Sequence, residues 1–212
     1  MFSIEESLKV GWNKFKVHVE LSIFTTLLML AVMFFPSEGG VKFASFIFSV
    51  AVTVLLFIIR IGYTKIFLRI FDGESPKFAE LFKEYRTFWR YIGVSILLPL
   101  IVFGGLILLV IPGLVWTIRL SLAPIIVVDT KLGPIAAIKE SYAITRGSFW
   151  NLTLFWIIIG ILNLAGLVVF VVGLLITIPL STLASIYVYR ELSKKRAGIS
   201  ALVTESPMTT SP

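Results

Sequence analysis

Apolar and polar residues do not alternate along this chain; the apolar ones come in long blocks. The longest block runs from Phe149 to Tyr189, forty-one positions without one charged side chain. A bilayer's hydrocarbon core takes about 20 apolar residues per helix. The block therefore predicts two crossings joined by an uncharged turn. A soluble domain of this size needs polar residues on its outer face and has nowhere to hide such a stretch. Read the same way, the whole chain predicts six spans, at about 17–35, 43–59, 88–109, 113–128, 149–171 and 174–190. Turn chemistry separates the hairpin partners at Pro36-Ser37-Glu38-Gly39-Gly40, at Ile111-Pro112-Gly113 and around Gly173.

Between the hairpins the pattern changes to a helical stripe. Ile4, Leu8, Trp12 and Phe15 recur at helical spacing with Lys9, Asn13, Lys14 and Lys16 on the opposite side, behind a Ser3-Ile4-Glu5-Glu6 capping box. Phe78, Leu81, Phe82, Tyr85 and Phe88 do the same against Lys77, Glu80, Lys83, Glu84 and Arg86. Ile135, Ile138 and Tyr142 share a face, with Lys139, Glu140 and Arg146 elsewhere and Gly147 placed as a C-cap. Helices of this kind suit the headgroup layer or a face of the protein's own bundle, and the two roles are compatible.

Amphipathic helix, aromatic-basic junction and helical hairpin follow one another three times, in units of about 1–71, 72–131 and 132–196. Thr87-Phe88-Trp89 parallels Ser148-Phe149-Trp150, and the stretch from Gly105 to Pro112 parallels that from Gly173 to Pro179. The fold class that results is all-α. It is a polytopic membrane bundle of about six transmembrane helices plus three amphipathic helices, with a threefold pseudo-repeat. One domain covers 1–196, and the Ser/Thr/Pro-rich tail 197–212 is predicted to be disordered.

Composition agrees: 58% of residues are hydrophobic and the mean hydropathy is +0.98. The net charge of +7 points to lipid headgroups and not to nucleic acid, because of where the charges sit. Of nineteen Lys and Arg, seventeen lie at the two termini and in the connections after spans two and four. The positive-inside rule then puts both termini and all three amphipathic helices in the cytoplasm of a prokaryote, with the spans in its plasma membrane. Glu5 and Glu6 stand where a signal peptide would be basic, so the first apolar run reads as a retained span. The absence of cysteine excludes disulfides and thiolate metal sites.

Little in the chain resembles catalytic machinery. His18 is the single histidine, and no paired-histidine metal motif, nucleophile elbow or phosphate-binding loop occurs. No metal and no cofactor is expected. The residue of most interest is Arg119, inside span four and about 9 Å from its outer end. An arginine there either contacts a lipid phosphate or snorkels to an interface. Asp129 lies about 15 Å further along a straight helix, so pairing them requires a break at Pro124. Glu140 reaches Arg119 only if its own helix folds back. Asn163 and Thr177 are polar within spans five and six, where interhelical hydrogen bonding is the common role and a solute path the rarer one. Candidate anion or lipid-headgroup contacts are thus Lys14, Lys16, Arg86, Arg90, Arg119 and Arg146; candidate polar partners are Asp129, Glu140 and Asn163.

The segment Arg119-Leu120-Ser121-Leu122-Ala123-Pro124-Ile125-Ile126-Val127-Val128-Asp129 resembles a known group. So do Gly133 to Tyr142 and Thr145-Arg146-Gly147. They resemble the membrane domain attached to some glycerophosphoryl diester phosphodiesterases, and related stand-alone prokaryotic multi-span proteins. That resemblance implies a six-helix membrane domain without the soluble catalytic barrel, so none of the barrel's catalytic residues transfers. The expected role is non-enzymatic: engagement of membrane lipids, or of another membrane protein or a separate soluble enzyme, through the basic-aromatic helices. The alternative is a small-solute or lipid transporter, or a channel-like subunit, with a polar path near Arg119 and Asn163. A membrane-embedded enzyme relying on Asp129 or Glu140 ranks third.

Overall fold

The computed structural model describes residues 2–33, 42–74, 76, 87–108, 110–168 and 173–205, and among them the fold is all-helical. The chain runs through α1 (Ile4–Val17), α2 (Val19–Met33), α3 (Lys42–Asp72) and α4 (Phe88–Leu108). It continues through α5 (Val110–Leu120), α6 (Ala123–Thr130), α7 (Pro134–Ile144), α8 (Phe149–Val168) and α9 (Leu174–Glu205). Four stretches are long and apolar enough to cross a membrane: Ala51–Asp72, Phe88–Ile107, Ile111–Thr130 and Phe149–Val168. By length and composition they suggest a membrane protein.

The other two expected spans correspond to α2 and the first half of α9. Beyond Met33, the end of the first span and the Pro36–Gly40 turn lie outside the described residues. The first half of α9 is diluted by Thr177, Ser181, Thr182, Ser185, Tyr187 and Tyr189. It can carry them because it is the axis of the bundle, contacted by α1, α2, α3, α7 and α8. Leu183, Ala184, Ile186 and Val188 are fully buried there. Its hydroxyls turn back on their own helix: Ser181 Oγ donates to the Thr177 carbonyl at 2.6 Å and Ser185 Oγ to the Ser181 carbonyl at 2.7 Å. A buried helix needs no uniformly apolar surface when its polar groups are satisfied internally.

Small residues let the helices approach. A Cβ built on Gly105 would sit 2.6 Å from the Trp116 ring, and one on Gly166 would sit 2.6 Å from Thr177 Oγ1. The α4–α5 and α8–α9 hairpins therefore close on glycine.

Three boundaries differ from expectation. Ile111-Pro112-Gly113 belongs to the first turn of α5 and not to the hairpin turn; a proline there lacks only an N–H that would have no partner anyway. The break in span four falls at Ser121-Leu122, and Pro124 sits in the first turn of α6. Finally, α9 runs to Glu205, nine residues past Arg196. Nothing between Ala197 and Glu205 breaks a helix as proline would; residues 206–212 lie outside the described residues. The second amphipathic helix, including Arg86, also falls outside them, in 77–86.

Candidate functional site: a basic groove beside Tyr142

The break after α5 sets up the site. Once the helix stops at Leu120, the Arg119 carbonyl has no helical donor of its own. A hydroxyl of α7 supplies the bond: Ser141 Oγ donates to it at 2.8 Å, while Thr145 Oγ1, at the helix's C-cap, lies 3.4 Å away and is nearer the Ser141 carbonyl, at 2.9 Å. Trp156 Nε1, from α8, donates to Ser121 Oγ at 3.0 Å. Irregular backbone at this depth is tolerated where protein groups satisfy it. The same contacts fix α7 against the break.

Seating α7 this way decides which of its faces is buried. Ala137, Ser141 and Ile144 pack inward, whereas Ile135 and Tyr142 are exposed. α1 behaves alike: Ser7, Gly11 and Phe15 are buried and Trp12 is exposed. A Cβ on Gly11 would come within 3.2 Å of the Ala184 nitrogen and the Leu180 oxygen of α9. Both connecting helices thus bury their small residues and turn a large aromatic outward. Of the apolar stripes, Ile4, Leu8, Phe15 and Ile138 also pack against the core, so these helices serve as faces of the bundle while Trp12, Ile135 and Tyr142 stay exposed.

The Arg119 guanidinium stacks on the Tyr142 ring at 4.8 Å and lies 5.9 Å from the Phe149 ring. Its Nε is buried without a hydrogen-bond partner among the described residues. The aromatic faces substitute for a carboxylate, and the C-terminal end of α5 favours a cation. Tyr142 also lines a groove of about 370 Å³ with Arg146, two residues past the end of α7, and with Lys195 and Arg196 of α9. Within reach stands Glu140, 2.9 Å from Arg196. The groove keeps a surplus of positive charge, carried mainly by guanidinium groups that match phosphate oxygens in pairs.

Asp129 and Glu140 do not pair with Arg119. Asp129 accepts from Arg190 Nη1 at 2.9 Å and from the Tyr189 hydroxyl at 2.8 Å. Arg190 Nη2 also donates to Asp72 at 2.7 Å. This cluster ties the C-terminal ends of α3 and α6 to α9. Asn163 exchanges hydrogen bonds with Ser181 at 3.1 and 3.3 Å, joining α8 to α9. Arg90 Nη1 donates to the Lys131 carbonyl. Lys14 lies 6.0 Å from the Phe71 ring and Lys16 lies 5.2 Å from Trp12. Of the expected cations among the described residues, Arg119 and Arg146 gather around Tyr142. The residues missed were Lys195 and Arg196, whose signal was the basic run after Arg190 in an unbroken helix. No group of three or more His, Cys, Asp or Glu placed to hold a metal ion occurs among the described residues.

No family model matches the chain, and no solved structure matches it. Its sequence is similar to the uncharacterized protein Rv2560 of Mycobacterium tuberculosis and the uncharacterized protein Mb2590 of Mycobacterium bovis. Identity to each is 30% over 158 residues, covering 74% of this chain and 47% of the relative. The chain thus spans about half the length of the curated relatives it matches.

Proposed function

We propose that this chain is a non-enzymatic protein of a prokaryotic plasma membrane that engages anionic phosphate headgroups. Its basic, aromatic-bearing surface faces the cytoplasm with both termini. The observation that carries the reading is the groove of Arg146, Lys195 and Arg196 beside Tyr142, whose neighbouring carboxylate, Glu140, is already matched by Arg196. Each Lys or Arg near an anionic membrane surface contributes about 1 kcal/mol of attraction, so this cluster outweighs a single surface charge. Acidic side chains serve in ion pairs: Asp72 and Asp129 with Arg190, Glu140 with Arg196, Glu191 with Lys194, Glu74 with Arg69 and Glu5 with Lys9. That supports structural roles for them over acid–base catalysis. A lipid, another membrane protein or a soluble enzyme with an acidic face would each suit the surface; lipid suits it best, because apolar and aromatic residues flank the cations. The test is lipid selectivity of the protein in detergent. Arg146→Glu with Lys195→Glu abolishes a preference for phosphatidylglycerol over phosphatidylcholine, and an unchanged preference refutes the reading.

A second reading, a small-solute or lipid transporter, draws on two hydroxyls. Ser22 Oγ and Thr177 Oγ1 are buried without a hydrogen-bond partner among the described residues, and unsatisfied groups of this kind accommodate water. Solute flux into vesicles holding the purified protein, lost in Asn163→Leu, favours this reading; no flux removes it.

A further inference from the structure

Tyr142 belongs to a second groove as well. This one measures about 270 Å³ and is walled by Ile101 of α4, Trp116 and Leu120 of α5, and Ile138 of α7, with Lys139 at its edge. Its walls are apolar apart from Lys139 and the Tyr142 hydroxyl. One side of it comes from the stretches Phe88–Ile107 and Ile111–Thr130, which are long and apolar enough to cross a membrane, and the other from α7; the basic groove lies between the end of α7 and α9. Ligand pockets for whole small molecules occupy about 300–1,000 Å³. The apolar groove falls just below that range and the basic one near its lower end: one accepts a length of hydrocarbon, the other an anionic head. Tyr142 is their shared wall, held in place by the Arg119 guanidinium against its ring.

We infer that the two grooves form one bipartite site for a single anionic phospholipid. This rests on the headgroup-binding reading and goes beyond it by assigning a place to the acyl chain. The chain enters between α4, α5 and α7 and is covered by Trp116 and Ile138. The phosphate lies near Tyr142, where Lys139 approaches from the apolar side and Arg146, Lys195 and Arg196 from the basic side. Charge complementarity selects an anionic lipid over a zwitterionic one, since an added ammonium would face the same four cations. The apolar groove makes binding depend on the chain and not on the head alone. Ser141 clamps α7 to the Arg119 carbonyl and so holds the helix that walls both grooves.

The experiment is native mass spectrometry of the full chain, delipidated in detergent. It is given dioleoyl-phosphatidylglycerol, dioleoyl-phosphatidylcholine, or water-soluble glycerophosphoglycerol. The expected result is one retained phosphatidylglycerol per chain, held about tenfold better than phosphatidylcholine, with the soluble headgroup weaker than either lipid. Ile138→Trp fills the apolar groove and lowers retention of both lipids about tenfold while leaving the preference between them. Ile101→Trp, on the opposite wall, does the same and serves if the first variant does not fold. Arg146→Glu with Lys195→Glu removes the preference. If both tryptophan variants retain phosphatidylglycerol like the parent, or the soluble headgroup binds as well as the lipid, the acyl groove is refuted while headgroup binding stands. If the charge reversal also changes nothing, both fail.

Discussion

Arg190 holds Asp129 through both of its terminal nitrogens, at 2.9 and 3.2 Å, although the two residues lie on different helices and sixty-one positions apart. One of those nitrogens also reaches Asp72. The Asp129 side chain is 15% exposed and that of Arg190 26%, so the pair is only partly screened. Removing the arginine leaves two carboxylates at the helix ends without their shared cation; removing Asp129 leaves Arg190 with Asp72. Arg190→Gln is therefore expected to cost about 2–3 kcal/mol and Asp129→Asn about 1–2 kcal/mol. Thermal unfolding in detergent measures both. Equal or reversed losses would mean that the cluster does not share one cation as described.

Adjacent glycines in α4 make a sharper comparison. Nothing lies within 4 Å of a Cβ placed on Gly104, whereas one on Gly105 meets the Trp116 ring at 2.6 Å. Gly104→Ala is expected to be neutral or to stabilise by about 0.5–1 kcal/mol, since alanine is the better helix former. Gly105→Ala forces the hairpin apart and costs about 1–3 kcal/mol. Melting temperatures of the two single variants decide it, and a tolerated Gly105→Ala would contradict the hairpin packing.

Thr145 Oγ1, which has a nearer acceptor in the Ser141 carbonyl at 2.9 Å, is the reserve donor for the Arg119 carbonyl 3.4 Å away. Ser141→Ala alone leaves the Thr145 bond and is expected to cost under about 1 kcal/mol. With Thr145→Val added, the carbonyl is left unpaired and the loss rises to about 1–3 kcal/mol. Denaturant titration of the single and double variants checks this; strict additivity of two small losses would show that the carbonyl has another donor.

How much of this was legible in the sequence depends on range. The uncharged run from Phe149 to Tyr189 announced α8 and the first half of α9 because apolar solvation is a property of composition. Gly147, expected as the C-cap, stands two residues past the actual cap, Thr145, but does have a positive φ of 83°, since glycine chemistry is local. Ser3 caps α1, accepting from the Glu6 nitrogen at 3.4 Å. Pairings were another matter. Asp129 was weighed only against Arg119, its neighbour along one helix, while its partner Arg190 lies on the last. The apolar stripes of α1 and α7 pack on the core through Ile4, Leu8, Phe15 and Ile138, but a periodicity count gives no weight to the small residues beside them. Close helix contact instead selects small ones, such as Gly11 and Ala137.

At the N-terminus, Glu5 and Lys9 form an exposed pair 2.6 Å apart, one turn apart on α1. The Lys9 ammonium holds the Glu5 carboxyl below its usual range by hydrogen bonding and charge attraction. A carboxylate with a lowered folded pKa stabilises above its unfolded value of about 4.3, and the effect is lost as pH falls through the folded value. Carbon-13 titration of the Glu5 carboxyl should show its midpoint rising to the ordinary value in Lys9→Met. An identical midpoint in both proteins would contradict the pairing.

Lipid selectivity at the basic groove separates a headgroup-binding protein from a passive membrane bundle. Its most direct measurement is the lipid that stays with the protein after exhaustive detergent exchange, compared with the membrane it came from. The account predicts enrichment of anionic phospholipid in the native protein and none in Arg146→Glu with Lys195→Glu. Retained lipid that mirrors the bulk membrane in both proteins would contradict it.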